Sequence, residues 1–207
     1  LTCPMGSLSV WYSTGTGYGA PSLVTANVPH TKLLIGDIDG DGRSDIIRVL
    51  PKASPSNVSI FKATDTGFAA LGTWTLNRGA CTDCERFYST DVNGDGKTDI
   101  VEVVDRQVEN GLVTNRKLHV WLWNGGTFVD QTPTPPADSP ASLDVLVYGP
   151  NPKFADLNSD GRTDLFDVDK NGNAQVRYSY GTGFWLGGQW WEGGHHKTDQ
   201  LGDFNGD

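Results

Sequence analysis

Two short sequence patterns alternate along the chain, and this alternation limits the possible folds more than any other feature. The first pattern is rich in aspartate and reads DIDGDGRSD, DVNGDGKTD and DLNSDGRTD, with a shorter copy, DFNGD, at the end. The second is aromatic with a turn near its end, and its copies VWYSTGTGY, IFKATDTGF, VWLWNGGTF and VRYSYGTGF begin at residues 10, 60, 120 and 176. The spacings of 50, 60 and 56 residues predict a protein built from repeated structural units.

The local patterns of each unit are those of β-strands. An apolar, β-branched run follows each complete aspartate pattern, at residues 46–49, 100–104 and 165–168. The aromatic segments combine a strand with a Gly/Thr/Asn turn, which indicates a hairpin. A repeat of about 50 residues with four short strands has the size of a propeller blade. The sequence therefore predicts an all-β propeller of four-stranded blades, with about four units at residues 1–50, 51–104, 105–168 and 169–207.

The charge distribution excludes one class of partner and points to another. A net charge of −9 argues against a nucleic-acid-binding protein, which needs a basic face. No apolar run is long enough to span a bilayer. Twelve aspartates lie in the four acidic stretches, and without them the chain would be slightly basic. The acidity is therefore local, where a hard cation can neutralise it.

The pattern D-x-[DN]-x-D-G-x-x-D places oxygen ligands at positions 1, 3, 5 and 9 of a tight loop. Calcium takes six to eight oxygens, often with a backbone carbonyl at position 7. Arg43, Lys97 and Arg162 occupy position 7, so we expect their side chains to point away while their carbonyls coordinate. Glycine at position 6 allows the sharp turn that brings both halves of the loop to the ion.

An EF-hand is the competing interpretation of these loops. Residues 91–102 satisfy its pattern, but the twelfth residue is Arg48 in the first loop and Asp167 in the third. The flanking segments are also strand-like, whereas an EF-hand needs helices. Glu102 is therefore expected to alternate outward on its strand.

These loops and their DGxxD(I/L) continuations resemble the FG-GAP/VCBS repeats of integrin-type β-propellers, over essentially the whole chain. The resemblance implies bound Ca²⁺ and a propeller that commonly has seven blades, so the chain, with about four, is expected to be a fragment or the ordered part of a longer protein. A closed four-bladed ring or an oligomeric ring is the alternative. It also implies the ligands, with position 7 contributing its carbonyl: Asp37, Asp39, Asp41, Arg43, Asp45; Asp91, Asn93, Asp95, Lys97, Asp99; Asp156, Asn158, Asp160, Arg162, Asp164; and, in the shorter copy, Asp203, Asn205, Asp207.

Residues outside the repeats add two hypotheses. Cys81 and Cys84 are candidates for a small disulfide, consistent with an exported protein, and Cys3 is then left over. Trp190 and Trp191 lie in a Gly-rich stretch and are candidates for contacting a sugar, although packing between blades is the more ordinary role for tryptophans. Trp11, Trp74 and Trp121 recur within units, which favours packing for these three.

We expect a non-catalytic protein, because no nucleophile, zinc or phosphate-loop motif is present. Relatives in the resembled family favour a secreted, extracellular binding module that recognises a glycan or a protein at a cell surface. The phrase S-x-G-T-G-[YF] at residues 13–18 and 179–184 also resembles repeats of bacterial toxin and virulence proteins. A structural scaffold in such an assembly, and a non-catalytic domain of a polysaccharide-degrading enzyme, are the alternatives.

Overall fold

The computed structural model describes residues 6–28, 32–50, 56–76, 86–109, 112–131, 151–168 and 171–191. Every regular element in these ranges is a β-strand, as the β-branched runs predict. The strands are β1 Gly6–Val10, β2 Ser22–Val28, β3 Lys32–Gly36, β4 Asp45–Leu50, β5 Ser56–Thr64, β6 Gly67–Leu76, β7 Arg86–Thr90, β8 Asp99–Glu109, β9 Leu112–Trp123, β10 Phe128–Gln131, β11 Lys153–Ala155, β12 Asp164–Val168, β13 Ala174–Ser179 and β14 Phe184–Trp191.

The strands form three four-stranded sheets and one two-stranded sheet, all antiparallel. In each four-stranded sheet, consecutive strands are neighbours: β3–β6, β7–β10 and β11–β14. The prediction of an all-β protein built from four-stranded, blade-like sheets is therefore confirmed. The number of blades in a closed ring and the boundaries of the repeat units stay predictions.

The chain divides into two compact units. Leu1–Glu85 contains the β1–β2 hairpin and the β3–β6 sheet, and Arg86–Asp207 contains the β7–β10 and β11–β14 sheets. Within the described ranges, no helix is long and apolar enough to cross a membrane.

The core of the second unit joins its two sheets face to face. Val101 and Val103 of β8 share a fully buried cluster with Leu165 of β12 and Phe184 of β14. Phe154 packs at the edge of this cluster, with its ring centroid 6.1 Å from that of Phe184. Apolar faces buried between neighbouring sheets are what a stack of blades requires, since no blade can cover its own faces.

Two sequence expectations about burial are wrong. Glu102 does not alternate outward: its side chain is 0 % exposed, and Ile100 and Val101 beside it are equally buried. Because both faces of this part of β8 are covered, alternation along the strand does not lead to solvent. Trp11 is 55 % exposed, whereas Trp121 at the same place of its aromatic segment is buried. The hairpin that carries Trp11 has two strands in the described ranges, so it offers less cover than a four-stranded sheet.

Several predicted features lie outside the described residues. They are Cys3, the candidate disulfide of Cys81 and Cys84, and the shorter acidic copy with Asp203, Asn205 and Asp207. The backbones of Trp190 and Trp191 belong to β14, but their side chains are outside the description.

Candidate metal sites

Three acidic loops each connect the first two strands of a four-stranded sheet. Loop 1 is residues 37–45 between β3 and β4, loop 2 is residues 91–99 between β7 and β8, and loop 3 is residues 156–164 between β11 and β12. Positions 1 to 9 are counted from the first aspartate of each loop. The structure therefore gives all three predicted ligand sets the same place in their sheets.

The aspartate at position 1 is the centre around which each loop folds. In loop 1, Oδ1 of Asp37 accepts hydrogen bonds from the N–H groups of Gly40 (2.8 Å) and Asp41 (3.1 Å), and Oδ2 accepts one from Gly42 (2.7 Å). Asp91 accepts equivalent bonds from Gly94, Asp95 and Gly96 at 2.7, 3.2 and 2.8 Å. Asp156 accepts bonds from Asn158, Asp160 and Gly161 at 3.3, 3.3 and 2.9 Å.

These turns require left-handed backbone at two positions. Position 6 is a glycine with φ near +80° in all three loops, as the sequence predicts. Position 4 is also left-handed, and loops 1 and 2 place Gly40 and Gly94 there. Loop 3 has Ser159 with φ 59°, the one non-glycine residue with positive φ in the described ranges.

The aspartate at position 9 ties each loop to the third strand of its sheet. Asp99 is fully buried and accepts hydrogen bonds from the N–H of Val92 in the loop (3.0 Å) and from the N–H of Trp123 at the end of β9 (2.8 Å). Asp45 makes the same pair of bonds to Ile38 (2.9 Å) and Ala63 (2.7 Å), and Asp164 to Leu157 (3.0 Å) and Ser179 (2.8 Å).

Burial raises the pKa of all three position-9 carboxyls. The pKa of Asp99 rises to about 7, and those of Asp45 and Asp164 rise as well. Desolvation is the main cause, and the other aspartates of each loop add repulsion, against the lowering effect of the two N–H donors. A cation near these carboxylates would favour their ionised form.

The side chains at positions 3 and 5 lie side by side, and in each loop a hydrogen-bond donor binds the carboxylate at position 5. In loops 2 and 3, the amide of Asn93 donates to Asp95 (3.2 Å) and the amide of Asn158 donates to Asp160 (3.1 Å). Loop 1 has aspartate at both positions, and the ammonium of Lys62 on β5 bonds to both of them. The neighbouring carboxylate of Asp39 is the main cause of a raised pKa for Lys62.

The side chains at position 7 do not all point away, contrary to the sequence expectation. The guanidinium of Arg162 turns back onto its own loop and donates to Asp160 at 2.7 Å, which lowers the pKa of that carboxyl. Arg43 pairs with Asp65, outside the loop, at 2.8 Å. Arg43 also follows an aspartate at position 5, but that carboxylate, Asp41, is already paired with Lys62 at 3.3 Å.

The geometry of loop 1 fits a hard divalent cation. Carboxylate oxygens of Asp37, Asp39 and Asp45 lie within 4.8 Å of one another. Ligands on opposite sides of a calcium ion are at most about 5 Å apart, since each binds at about 2.3–2.6 Å. Oδ1 of Asp39 is also buried without a hydrogen-bond partner, whereas Oδ2 of the same carboxylate bonds to Lys62, so Oδ1 is the oxygen that a bound cation would satisfy. The donor set is all oxygen, as calcium prefers.

Loops 2 and 3 contact each other within the second unit. The N–H of Thr163 donates to the carbonyl of Asp91 at 2.8 Å, and the hydroxyl of Ser179 donates to the carbonyl of Val92 at 2.6 Å. A Cβ on Gly94 would lie 3.1 Å from the carbonyl oxygen of Gly161. The two loops therefore form a joint between neighbouring sheets as well as two candidate sites.

Sequence reasoning missed the partners of the position-9 aspartates and the role of Lys62. A signal for the first was present: Ala63, Trp123 and Ser179 are each the fourth residue of an aromatic segment. For Lys62 the signal was a lysine at the third residue of that segment, where the other described sheets have Leu122 and Tyr178.

Comparison with known proteins agrees with this architecture. No curated protein matches the chain. A family model described as an FG-GAP-like repeat matches twice, at residues 37–102 and 91–166. Each match begins at position 1 of an acidic loop and continues past position 9 of the next, so the matched unit is the sheet-and-loop repeat described above. With more than half of its length matched in this way, the chain belongs to the FG-GAP-like repeat family.

Proposed function

We propose that this chain is a calcium-stabilised β-propeller module that binds a glycan at a cell surface outside the cell. Its acidic loops hold Ca²⁺ through the carboxylates at positions 1, 3, 5 and 9, with asparagine at position 3 of loops 2 and 3, and through the position-7 carbonyl. The observation that carries the calcium assignment is the oxygen cluster of loop 1 with the buried, unpartnered Oδ1 of Asp39. Extracellular calcium modules bind at roughly 10⁻⁴–10⁻³ M, which suits this location.

The role of calcium is structural in this proposal. Bound calcium neutralises the aspartates. The position-9 carboxylate connects the ordered loop to the third strand, because it accepts a hydrogen bond from the N–H of Ala63, Trp123 or Ser179. No catalytic group is assigned. At about 2 mM calcium, a site with a dissociation constant of about 10⁻⁴ M stabilises the folded state by about 2 kcal/mol.

Exposed aromatic side chains support the glycan as the ligand. Trp11, Tyr12 and Tyr18 are all exposed, Tyr18 by 78 %, and they lie within a stretch of eight residues in the segment that joins β1 to β2. A backbone bond from Gly19 to Tyr12 and a bridge between Ser13 and Tyr18 hold this segment in shape. Aromatic rings presented on an ordered turn can stack on the apolar C–H faces of sugar rings while losing little side-chain entropy.

The calcium assignment is tested by thermal unfolding of the full chain in calcium, in magnesium and in EDTA. We expect calcium to raise the melting temperature and EDTA to reverse the rise. Magnesium should act weakly, because it demands a smaller, octahedral site. A melting temperature that is the same in calcium and EDTA would contradict the assignment.

The glycan assignment is tested by screening the calcium-loaded chain on a glycan array. We expect binding to one sugar class that Trp11→Ala and Tyr18→Ala reduce at least tenfold. Leu71→Ala is the matched control, since Leu71 is an exposed apolar residue on β6. Silence of the folded, calcium-loaded chain on the array would favour a protein partner and a scaffold role instead.

A further inference from the structure

Lys62 gives loop 1 a cation that belongs to the chain itself. Its ammonium bonds to Asp39 and lies 3.3 Å from Oδ2 of Asp41. The next residue, Ala63, is the one whose N–H is bonded to Asp45 at position 9. The same strand end therefore ties the loop at position 9 and delivers the ammonium to positions 3 and 5.

The lysine and the extra carboxylate of loop 1 occur together. Loop 1 has aspartate at position 3 and Lys62 on its third strand. Loops 2 and 3 have asparagine at position 3, with Leu122 and Tyr178 in the place of the lysine. Loop 1 thus combines four carboxylates with one ammonium, whereas the other two loops have three carboxylates each. The sum of these charges is the same for all three loops.

The ammonium and the asparagine amides perform the same task in different ways. In loops 2 and 3, the amide group of position 3 donates to the position-5 carboxylate and leaves the amide oxygen within the loop. In loop 1, the donor is a positive charge that binds the carboxylates of Asp39 and Asp41 directly. These two carboxylates are also proposed calcium ligands, so calcium and the ammonium compete for them.

We propose that Lys62 is a tethered competitor of calcium in loop 1, which holds this loop closed without metal and makes it the weakest of the three described calcium sites. This inference rests on the proposed assignment of calcium to the loops. Calcium must displace the ammonium or bind beside a positive charge, and either event weakens binding. Without the ammonium, loop 1 would have one carboxylate more than its neighbours and would bind calcium most tightly.

The test is loop-resolved hydrogen exchange of the full chain during a calcium titration. Peptides that cover residues 37–45, 91–99 and 156–164 report the protection of each loop separately. In the wild-type chain, we expect loop 1 to be the best protected in EDTA and to respond to calcium at the highest concentration. In Lys62→Met, we expect loop 1 to lose protection in EDTA and its calcium midpoint to fall at least tenfold, below those of loops 2 and 3.

Two further variants define what the result means. Lys32→Met removes the same charge from an exposed position of the same sheet, and we expect it to leave all three midpoints within about twofold. Asp39→Asn with Lys62→Met gives loop 1 the position-3 residue and the charge of loop 2, so its midpoint should approach that of loop 2. If Lys62→Met alone does not fold in EDTA, the calcium midpoint of loop 1 in this double variant still tests whether Lys62 competes with calcium.

The outcomes separate this inference from the calcium assignment. If all loops respond to calcium but Lys62→Met leaves the loop 1 midpoint unchanged or raises it, Lys62 does not compete and the inference is wrong. If no loop responds to calcium in any variant, the calcium assignment itself fails and the inference fails with it. A lower midpoint confined to loop 1 in Lys62→Met supports both.

Discussion

Removing the carboxylate of Asp99 tests whether the acidic loops are structural in their own right. Asp99 accepts the N–H of Val92 in loop 2 and the N–H of Trp123 at the end of β9, and the side chains of all three residues are buried. Asp99→Ala leaves two backbone donors without this acceptor in a place that water does not reach. The change therefore removes a connection between the loop and the third strand even when no metal is present.

The expected loss of stability follows from these two donors. A buried N–H group left unsatisfied costs about 1–3 kcal/mol, so two of them cost about 2–6 kcal/mol. Removal of a buried carboxyl whose pKa is raised to about 7 gives back part of this loss, because its own desolvation is also removed. We therefore expect Asp99→Ala to lower the free energy of unfolding by about 3 kcal/mol in EDTA, which is about 6–12 °C in melting temperature at this chain length.

The assay is chemical and thermal unfolding of the full chain in EDTA, where calcium ligation does not contribute. Asp130→Ala is the matched control, since Asp130 is an exposed aspartate on β10 in the same sheet, and we expect a change within about 0.5 kcal/mol. Asp99→Asn keeps one acceptor and should fall between the two. A loss below about 1 kcal/mol for Asp99→Ala would refute the reasoning, because the two N–H groups would then have found other partners at little cost.

Three further predictions concern the second unit. Gly94→Ala should destabilise the chain by about 1–3 kcal/mol more than Gly96→Ala in urea unfolding. Both glycines have positive φ, but only at Gly94 would a Cβ meet the neighbouring loop, 3.0 Å from the side chain of Arg162 and 3.1 Å from the carbonyl oxygen of Gly161. Equal losses would contradict the described joint between loops 2 and 3. Asp95→Ala should remove one bound calcium ion in equilibrium dialysis and lower the melting temperature in calcium more than in EDTA, and an unchanged stoichiometry would contradict its assignment as a ligand. In EDTA, the free energy of unfolding should fall as the pH rises from about 4 to about 7, because burial raises the pKa of Asp99 from the ordinary 3.8 to about 7 and folding thus favours the protonated carboxyl. Calcium should reverse this trend, because it binds the ionised carboxylate. An Asp99→Asn variant with the same pH dependence as the wild type would contradict the prediction.

The local part of the fold could be predicted from the sequence because local chemistry determines it. The runs at 46–49, 100–104 and 165–168 lie within β4, β8 and β12, as their β-branched composition predicts. The glycines at position 6 of the loops have the left-handed backbone that their pattern requires. Periodicity along one strand, however, did not reveal that Glu102 is buried, since this depends on what covers each face of the sheet.

The rest of the site depends on residues that the sheets bring together. Asp45 meets Ala63 and Asp39 meets Lys62 because β5 ends beside loop 1, a result of strand register over about twenty residues. Thr163 meets Asp91 only because two sheets pack face to face. Spacing within a nine-residue pattern identifies candidate ligands but contains no information about such partners.

These long-range partners also explain how a surface loop can stabilise a sheet. In loop 2, the backbone of Asp91 and Val92 receives hydrogen bonds from the next sheet, while the N–H of Val92 donates to Asp99, which in turn binds β9. The conformation of this one short segment therefore depends on its own sheet, on the neighbouring sheet and on the proposed cation. Any cation that orders this segment must then stabilise both sheets together, because the folded state binds it more tightly than the unfolded chain does. Lys62 performs the corresponding task in loop 1 from within the chain, so we expect the stability of this loop to depend less on calcium than that of loop 2.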